Sequence, residues 1–223
     1  MRLFIRVLSG IVMLICLGVI MQYILSYRDV ELGLQQAQQS KLEQLQQQNE
    51  RIIGWLSLEG TRLDNPVLQA EDNDFYLVHN FLDERSRGGS IFADYRNDVF
   101  NDRHTIFYGH VLRNGTMFGD LAKFSEQSYA DNHPIFRYET KDKSYILQVF
   151  AAYETTTAFY YIETDFTEET FTQFLAEIQS RSEIEMPIDV TANNRIVTFS
   201  TCTTSLNDTE RFVVHAKLVE QEH

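Results

Sequence analysis

Short runs of apolar and β-branched residues, several of them alternating with polar residues, dominate the chain from Gly54 onward. Eight runs of this kind follow one another: WLSLEG, RLDNPVL, SIFADY, HTIFYGH, PIFRYET, SYILQVFAAY, RIVTFST and RFVVHAKL. Alternation with a period of two is typical of strands that bury one face. Many short strands with few long helical segments predict a mainly β domain, either a barrel or a sandwich.

One segment, residues 168–181 (EETFTQFLAEIQSR), has a helical period instead. Its apolar residues recur at i, i+3, i+4 and i+7 and therefore share one face: Phe171, Phe174, Leu175 and Ile178. Asp165 is predicted to cap this helix, with Glu168 three residues later in a capping-box arrangement. Shorter helical turns are predicted at DNDFYLVHN, MFGDLAKF and SEQSYADN.

The N-terminal part of the chain has another pattern. Residues 7–25 (VLSGIVMLICLGVIMQYIL) carry no charge, and Arg2 and Arg6 precede them. A helix needs about 20 apolar residues to cross a bilayer, and no small-residue cleavage site follows this run. The pattern predicts an uncleaved, single-pass signal anchor in the cell membrane, with a cytoplasmic N-terminus and the remaining chain outside the cell.

Residues 34–53 are rich in glutamine and contain neither Gly nor Pro. Leu42, Leu45 and Ile52 form a thin apolar stripe, which fits either a helix or a flexible spacer. The predicted divisions of the chain are the cytoplasmic N-terminus at 1–6, the anchor at 7–25, a helical stalk or N-terminal helix at 26–53, a globular domain at 54–219 and a tail at 220–223.

The charge balance excludes some kinds of partner. The chain has 19 Lys and Arg against 32 Asp and Glu, and its net charge is −13. Binding to a nucleic-acid backbone needs clustered positive charge, so we expect no nucleic-acid partner. No acidic cluster has the spacing of metal ligands, so we expect no metal and no cofactor.

Cys202, in the stretch TFSTCTTS, is the only cysteine beyond the predicted anchor, which contains Cys16. A free cysteine is usually a small buried hydrophobe. A cysteine nucleophile needs a basic partner and a donor for the developing oxyanion. Arg211 follows Cys202 after the polar turn LNDTE, which is the spacing of a strand, a loop and a return strand.

Two histidines are candidates for the basic partner. His110 ends the apolar run HTIFYGH directly after Gly109, where it could project into a cleft. His215, in RFVVHAKL, is its rival, because it would share a strand face with Arg211. The other histidines are interpreted as surface, packing or terminal residues: His79, His104, His133 and His223.

These motifs together resemble those of the sortases. TFSTC resembles the T-L-x-T-C signature, with Phe199 in place of Leu; YGH (108–110) resembles the signature around the sortase histidine, and ERFVV the strand that carries the arginine. The order of the three residues also matches. Further stretches, together with the helix at 168–181, resemble class B sortases in particular: DNDFYL, GSIFADYRND, TMFGDL, YILQVFAAYETTT and TDF. The resemblance covers roughly residues 45–219.

The resemblance implies an eight-stranded β-barrel with N-terminal helices and a long helix before the seventh strand. It also implies a cysteine transpeptidase that cleaves the C-terminal sorting signal of an exported protein, an N-P-x-T-N/G-like pentapeptide, after Thr. Cys202 would be the nucleophile, His110 the general acid and base, and Arg211 the group that holds the oxyanion or the substrate backbone, aided by a main-chain amide. The acceptor would be an amine of the peptidoglycan precursor on lipid II.

The resemblance further implies which residues bind the sorting signal. Asn73 and Leu77 would line the pocket for its Asn-Pro end. The opposite wall, and the positions beside the nucleophile, would be formed by Thr157, Tyr161, Ile162, Ser200 and Thr203. Three alternatives remain open on the sequence: a class B pilin polymerase, a membrane-tethered binding module without activity, and a plain cysteine peptidase.

Overall fold

The computed structural model describes residues 13–22, 25, 41–99, 101–202 and 210–221. The chain divides into two compact units, Met1–Lys41 and Leu42–His223. In the first unit, residues 13–22 are helical. Among the described residues, no helix combines the length and the apolar composition that a membrane span requires.

Several sequence predictions fall on residues outside the described ranges. They concern the whole N-terminus at 1–6, part of the anchor at 7–25, the stalk residues 26–40, the site residue Thr203 and the end of the tail at 222–223. The predicted divisions of the chain therefore stay predictions.

Each of the eight apolar runs contributes one strand, which confirms the strand prediction. The strands are β1 (Ile52–Leu58), β2 (Asp64–Leu68), β3 (Ile91–Ala93), β4 (His104–Tyr108), β5 (Ile135–Glu139), β6 (Ser144–Thr156), β7 (Ile196–Cys202) and β8 (Glu210–Glu220). They form a closed barrel in the order β1-β2-β3-β4-β7-β8-β6-β5. The pairs β2–β3 and β4–β7 are parallel, and the other neighbours are antiparallel.

The pairing register explains how β4, β7 and β8 separate a core face from an outer face. Phe107 pairs with Phe199, and Phe199 pairs with Val214. All three side chains are fully buried in the main apolar cluster of the barrel. Because neighbouring residues on a strand point to opposite faces, the next position on β7, Ser200, belongs to the outer face.

The predicted long helix is present at Glu168–Arg181 and is named α3. Its four apolar residues are buried in a second cluster, together with residues of β6 and β8. The cap was predicted at the wrong residue: Thr167, not Asp165, is the N-cap of the helix. The Thr167 hydroxyl accepts from the Thr170 amide at 3.2 Å, and the Thr170 hydroxyl accepts from the Thr167 amide at 3.0 Å. Asp165 lies two residues too early to reach these amides.

The shorter helical turns are confirmed as two 3-10 helices, Phe75–Leu77 and Leu121–Ser125, and one α-helix, named α2, at Gln127–Asn132. Residues 41–48 form a further helix, α1. Leu42 of α1 is buried against β2 and β3, in a cluster that also contains Ile52. Ile52 belongs to β1 and not to the helix, so the apolar stripe read from the sequence spans two elements.

Candidate active site

Strand β7 brings the three predicted catalytic positions to one end of the barrel. It lies between β4 and β8. Cys202, its last residue, pairs with Arg211 of β8. On the other side Tyr108 of β4 pairs with Ser200, and the Gly109 amide donates to the Ser200 carbonyl at 3.3 Å. Since β4 and β7 run parallel, His110 follows Tyr108 by two residues at the same end of the barrel at which Cys202 follows Ser200 by two residues.

A cleft of about 290 Å³ opens at this end of the outer face. Its lining contains two of the predicted catalytic residues, His110 and Arg211, and six of the seven residues predicted to bind the sorting signal: Asn73, Leu77, Thr157, Tyr161, Ile162 and Ser200. Phe92, Tyr108, Gly109 and Thr201 complete it. A larger cavity of about 500 Å³ beside α1 is lined mostly by polar side chains and includes none of these residues.

His110 is half-buried, and its ring is held by the backbone of the opposite side of the cleft. Its Nε2 lies 2.8 Å from the carbonyl oxygen of Leu77. A carbonyl can only accept a hydrogen bond, so Nε2 carries a proton in this arrangement. The other ring nitrogen, Nδ1, is then the one that can take up or release a proton.

Arg211 is half-buried at the start of β8. Its Nη1 donates to the carbonyl of Glu210 at 2.7 Å, which bends the side chain back over its own strand. A guanidinium stays charged at every physiological pH and has five N–H donors in a planar fork. The bond to Glu210 uses one of these five donors.

Residues 157–163, which follow β6, form one side of the cleft and are named the wall segment. The hydroxyls of Tyr161 and Ser200 are 2.8 Å apart, and both residues are buried. This contact ties the wall segment to β7 just before Cys202. The predicted binding residues of the wall and of the strand are thus in direct contact.

His215, the rival of His110, lies away from the cleft. It is fully buried, and its ring nitrogens contact Thr198 at 2.7 Å and Tyr153 at 2.9 Å. Burial lowers the pKa of His215 well below its usual value, so the ring is neutral. His104, interpreted from the sequence as a surface or packing residue, is a packing residue: its ring is also fully buried, between Thr198 and the carbonyl of Glu163.

Sequence reasoning gave no separate role to Asp94 and Arg96, which appear only within the motif GSIFADYRND. Asp94 is completely buried and forms an ion pair with Arg96 at 2.7 Å. Burial alone would raise the pKa of the Asp94 carboxyl, but hydrogen bonds from Arg96 and Tyr108 outweigh it and lower this pKa. A carboxylate directly after an apolar strand, two residues before an arginine, is the signal that could have identified the pair.

Among the described residues, no group of three His, Cys, Asp or Glu side chains is arranged to hold a metal ion. The described cleft offers an imidazole, a guanidinium, hydroxyl groups and the amide of Asn73, beside the strand that ends at Cys202.

Comparison with known proteins gives concordant results. The Sortase domain family matches residues 56–219. Sortase B of Listeria monocytogenes is 44% identical over 182 residues, which cover 80% of this chain and 74% of that protein. Sortase B of Staphylococcus aureus is 43% identical over 183 residues, covering 81% and 75%. The structure of a Staphylococcus aureus sortase B–substrate complex superimposes with a TM-score of 0.78 at 41% identity, covering 82% of this chain and 87% of that one.

Proposed function

The chain belongs to the class B sortases, cysteine transpeptidases that anchor surface proteins, and we propose that it recognises an N-P-x-T-N/G-like sorting signal and cleaves it after Thr. In this proposal Cys202, His110 and Arg211 carry the reaction. The acyl group passes to an amine of the peptidoglycan precursor on lipid II.

One observation supports this assignment above the others. His110 and Arg211 line the same cleft as six residues expected to bind the peptide, and β7 leads into that cleft and ends at Cys202. These residues come from distant parts of the chain, between positions 73 and 211. A cleft with an apolar lining and a few convergent polar groups is the usual form of a ligand site.

The first half of the proposed reaction forms a thioester. The thiolate of Cys202 attacks the carbonyl carbon of the Thr residue, and the oxyanion that develops is held by the guanidinium of Arg211. The bond between that carbon and the following nitrogen then breaks. His110, protonated on both ring nitrogens, gives a proton to the departing amine.

The second half releases the product. The amine of the acceptor attacks the thioester carbon, and His110, now neutral, takes the proton that the amine loses. The carbon–sulfur bond breaks and the thiolate of Cys202 returns. Throughout, the bond from Nε2 to the Leu77 carbonyl keeps the ring in one orientation.

We also propose that residues 7–25 anchor the enzyme in the cell membrane, with the catalytic domain at 54–219 outside the cell. The charge-free run and the preceding Arg2 and Arg6 support this. An anchored enzyme and a membrane-bound acceptor share one thin layer, which raises their effective concentration.

The test is incubation of the full-length chain, in detergent micelles, with the pentapeptides N-P-x-T-N, N-P-x-T-G and S-P-x-T-G, with and without an amine acceptor. Mass spectrometry should detect an acyl adduct on Cys202 and, with the amine, a transpeptidation product. The Cys202→Ala variant should be folded and form neither. Turnover by that variant would remove Cys202 from the mechanism, and hydrolysis that no amine diverts would favour a peptidase.

A further inference from the structure

Asp94 is the point at which several residues of the cleft are joined. It lies directly after β3, and its carboxylate is completely buried. Besides Arg96, two residues from the lining of the cleft donate to its Oδ2: Tyr108 through its hydroxyl at 2.8 Å and Asn73 through its amide at 3.1 Å. A buried carboxylate needs such partners, because leaving it unpaired is costly.

Arg96 uses only part of its guanidinium on Asp94. Its Nε and Nη2 donate to the two carboxylate oxygens at 2.8 and 2.7 Å. Nη2 also donates to the carbonyl of Ile162 at 2.9 Å, and Nη1 to the hydroxyl of Tyr160 at 3.0 Å. The same side chain thus holds the carboxylate of Asp94 on the barrel and two residues of the wall segment, Tyr160 and Ile162.

The Asp94–Arg96 pair therefore connects the two sides of the cleft. Asn73 is fixed on one side, since its Nδ2 donates to Asp94 and its Oδ1 accepts from the Tyr95 amide at 3.0 Å. Ile162 is fixed on the other side through Arg96. The ion pair and its planar hydrogen bonds therefore link these two lining residues directly, in addition to the Tyr161–Ser200 contact that also holds the wall segment.

A pair that served stability alone would not need this geometry. Two oxygens of Asp94 and the forked donors of Arg96 would satisfy each other, and the wall segment could be held by apolar contacts. Instead, the outward-facing donors of Arg96 end on residues that flank the cleft. Arginine suits this role because its fork is rigid, whereas lysine is a flexible point charge.

We propose that Asp94 and Arg96 are positioning residues that set the width of the cleft, and thereby its affinity for the Asn-Pro end of the sorting signal. The pair acts through Asn73, Tyr108 and Ile162 and does not touch the reacting atoms. The part of this inference that concerns the peptide rests on the proposed function.

The test compares the full-length wild-type enzyme with Arg96→Gln and Arg96→Lys on an N-P-x-T-N peptide. We expect Arg96→Gln to raise KM by at least about tenfold and to change kcat by less than about threefold, because a change that removes binding shared by the ground state and the transition state raises KM alone. Arg96→Lys should lie between wild type and Arg96→Gln. Discrimination against a peptide with Ala in place of the first Asn should become weaker in both variants.

Arg195→Gln is the matched control. Arg195 also faces a carboxylate, that of Glu220 at 3.9 Å, but it precedes β7 at the end opposite Cys202. The Arg195→Gln variant should leave KM unchanged. Alkylation of Cys202 by iodoacetamide should proceed at the wild-type rate in all variants. If Arg96→Gln leaves KM unchanged and lowers only the free energy of unfolding, or if alkylation slows as much as cleavage, the positioning role is overturned.

Hydrogen exchange separates this inference from the proposed function. If the wild-type enzyme cleaves none of the peptides, the proposed specificity fails, yet the amides of residues 157–163 still report on the pair. Faster exchange of that segment in Arg96→Gln than in Arg195→Gln supports its attachment to Arg96. Equal exchange in the two variants would show that Arg96 does not hold it. Should Arg96→Gln fail to fold, the same comparison on Arg96→Lys decides.

Discussion

The imidazole rings of His104 and His215 are joined by a single hydroxyl group, that of Thr198. The hydroxyl lies 2.6 Å from Nε2 of His104 and 2.7 Å from Nδ1 of His215. The Glu163 carbonyl can only accept, so His104 carries its proton on Nδ1, and Thr198 donates to Nε2. Thr198 then accepts from Nδ1–H of His215, whose Nε2 accepts from Tyr153. The two bonds in which a ring nitrogen accepts, from Thr198 to His104 and from Tyr153 to His215, require neutral rings.

This series of hydrogen bonds predicts that the folded protein loses stability in acid. Burial lowers the pKa of His104 from 6.5 to about 4. Below pH 6.5 the unfolded protein binds a proton at His104 that the folded protein does not bind. The contribution of His104 to the free energy of unfolding is therefore full above this pH, and it is lost as the pH falls to about 4. At 1.36 kcal/mol per pKa unit, His104 accounts for about 3 kcal/mol. Urea unfolding of wild type and of His104→Gln over this range should show a shallower pH dependence for the variant.

His133→Gln is the control for that measurement, because His133 takes no part in this series of hydrogen bonds and contacts the Tyr129 carbonyl at 3.0 Å. It should keep the pH dependence of the wild type. An identical dependence in His104→Gln would mean that other groups, such as His215 and the carboxylates, cause the acid loss.

Gly89 should be intolerant of even the smallest side chain. Its φ is +56°, and an added Cβ would lie 2.5 Å from the Tyr76 carbonyl, 2.8 Å from the Leu77 carbonyl and 3.1 Å from the His110 ring. Gly89→Ala should therefore displace the carbonyl that orients His110 and lower the turnover number. It should also reduce the free energy of unfolding by at least about 1 kcal/mol more than backbone strain alone.

Gly60→Ala isolates the backbone strain. Gly60 has a φ of +78°, but the nearest atom to an added Cβ is 3.7 Å away. This variant should lose about 1 kcal/mol of stability and no activity. Equal effects of the two substitutions on turnover would mean that the crowding at His110 is unimportant.

Arg211→Lys should slow acylation more than it weakens peptide binding. Lysine keeps the charge but loses the planar fork, and removal of one oxyanion donor costs about 10²–10³ in rate. Arg211→Ala should cost at least as much. Single-turnover acylation of both variants beside wild type measures the effect. If both acylate at the wild-type rate, the oxyanion is held by another group.

Replacement of residues 1–25 should leave the intrinsic activity on a soluble peptide unchanged. The compact unit that contains the cleft begins at Leu42, and the charge-free run carries none of the proposed catalytic residues. Steady-state kinetics of a chain that starts near Ser26 should match those of the full-length enzyme in detergent. Normal peptide binding without cleavage would assign the segment a role beyond anchoring.

The sequence predicted the strands and the long helix well because both depend on local periodicity. It failed where partners are distant along the chain. His104 was interpreted only as a surface or packing residue, because its partners, Glu163 and Thr198, are 59 and 94 residues away. The cap of α3 was misplaced for a smaller reason, since Asp165 and Thr167 are both good capping residues and only the backbone decides between them.

For the cleft, the sequence predicted candidates and the strand, loop and return strand that pair Cys202 with Arg211. It could not predict that the Asp94–Arg96 pair joins the two sides, because Ile162 is 66 residues from Arg96 and is reached through its backbone carbonyl. Any residue type can accept through its backbone carbonyl, so the identity of residue 162 does not indicate this contact.

The position of β7 also fixes when the enzyme can become reactive. Its parallel pairing with β4 joins segments separated by about half of the domain, and β8 must then bond to both β7 and β6 before the barrel closes. Such non-local pairings form slowly. A chain that is still being synthesised therefore lacks the arrangement around Cys202 until β8 has been added. Activity is thereby delayed to the end of folding, because Arg211 comes to lie opposite Cys202 only when β8 pairs with β7.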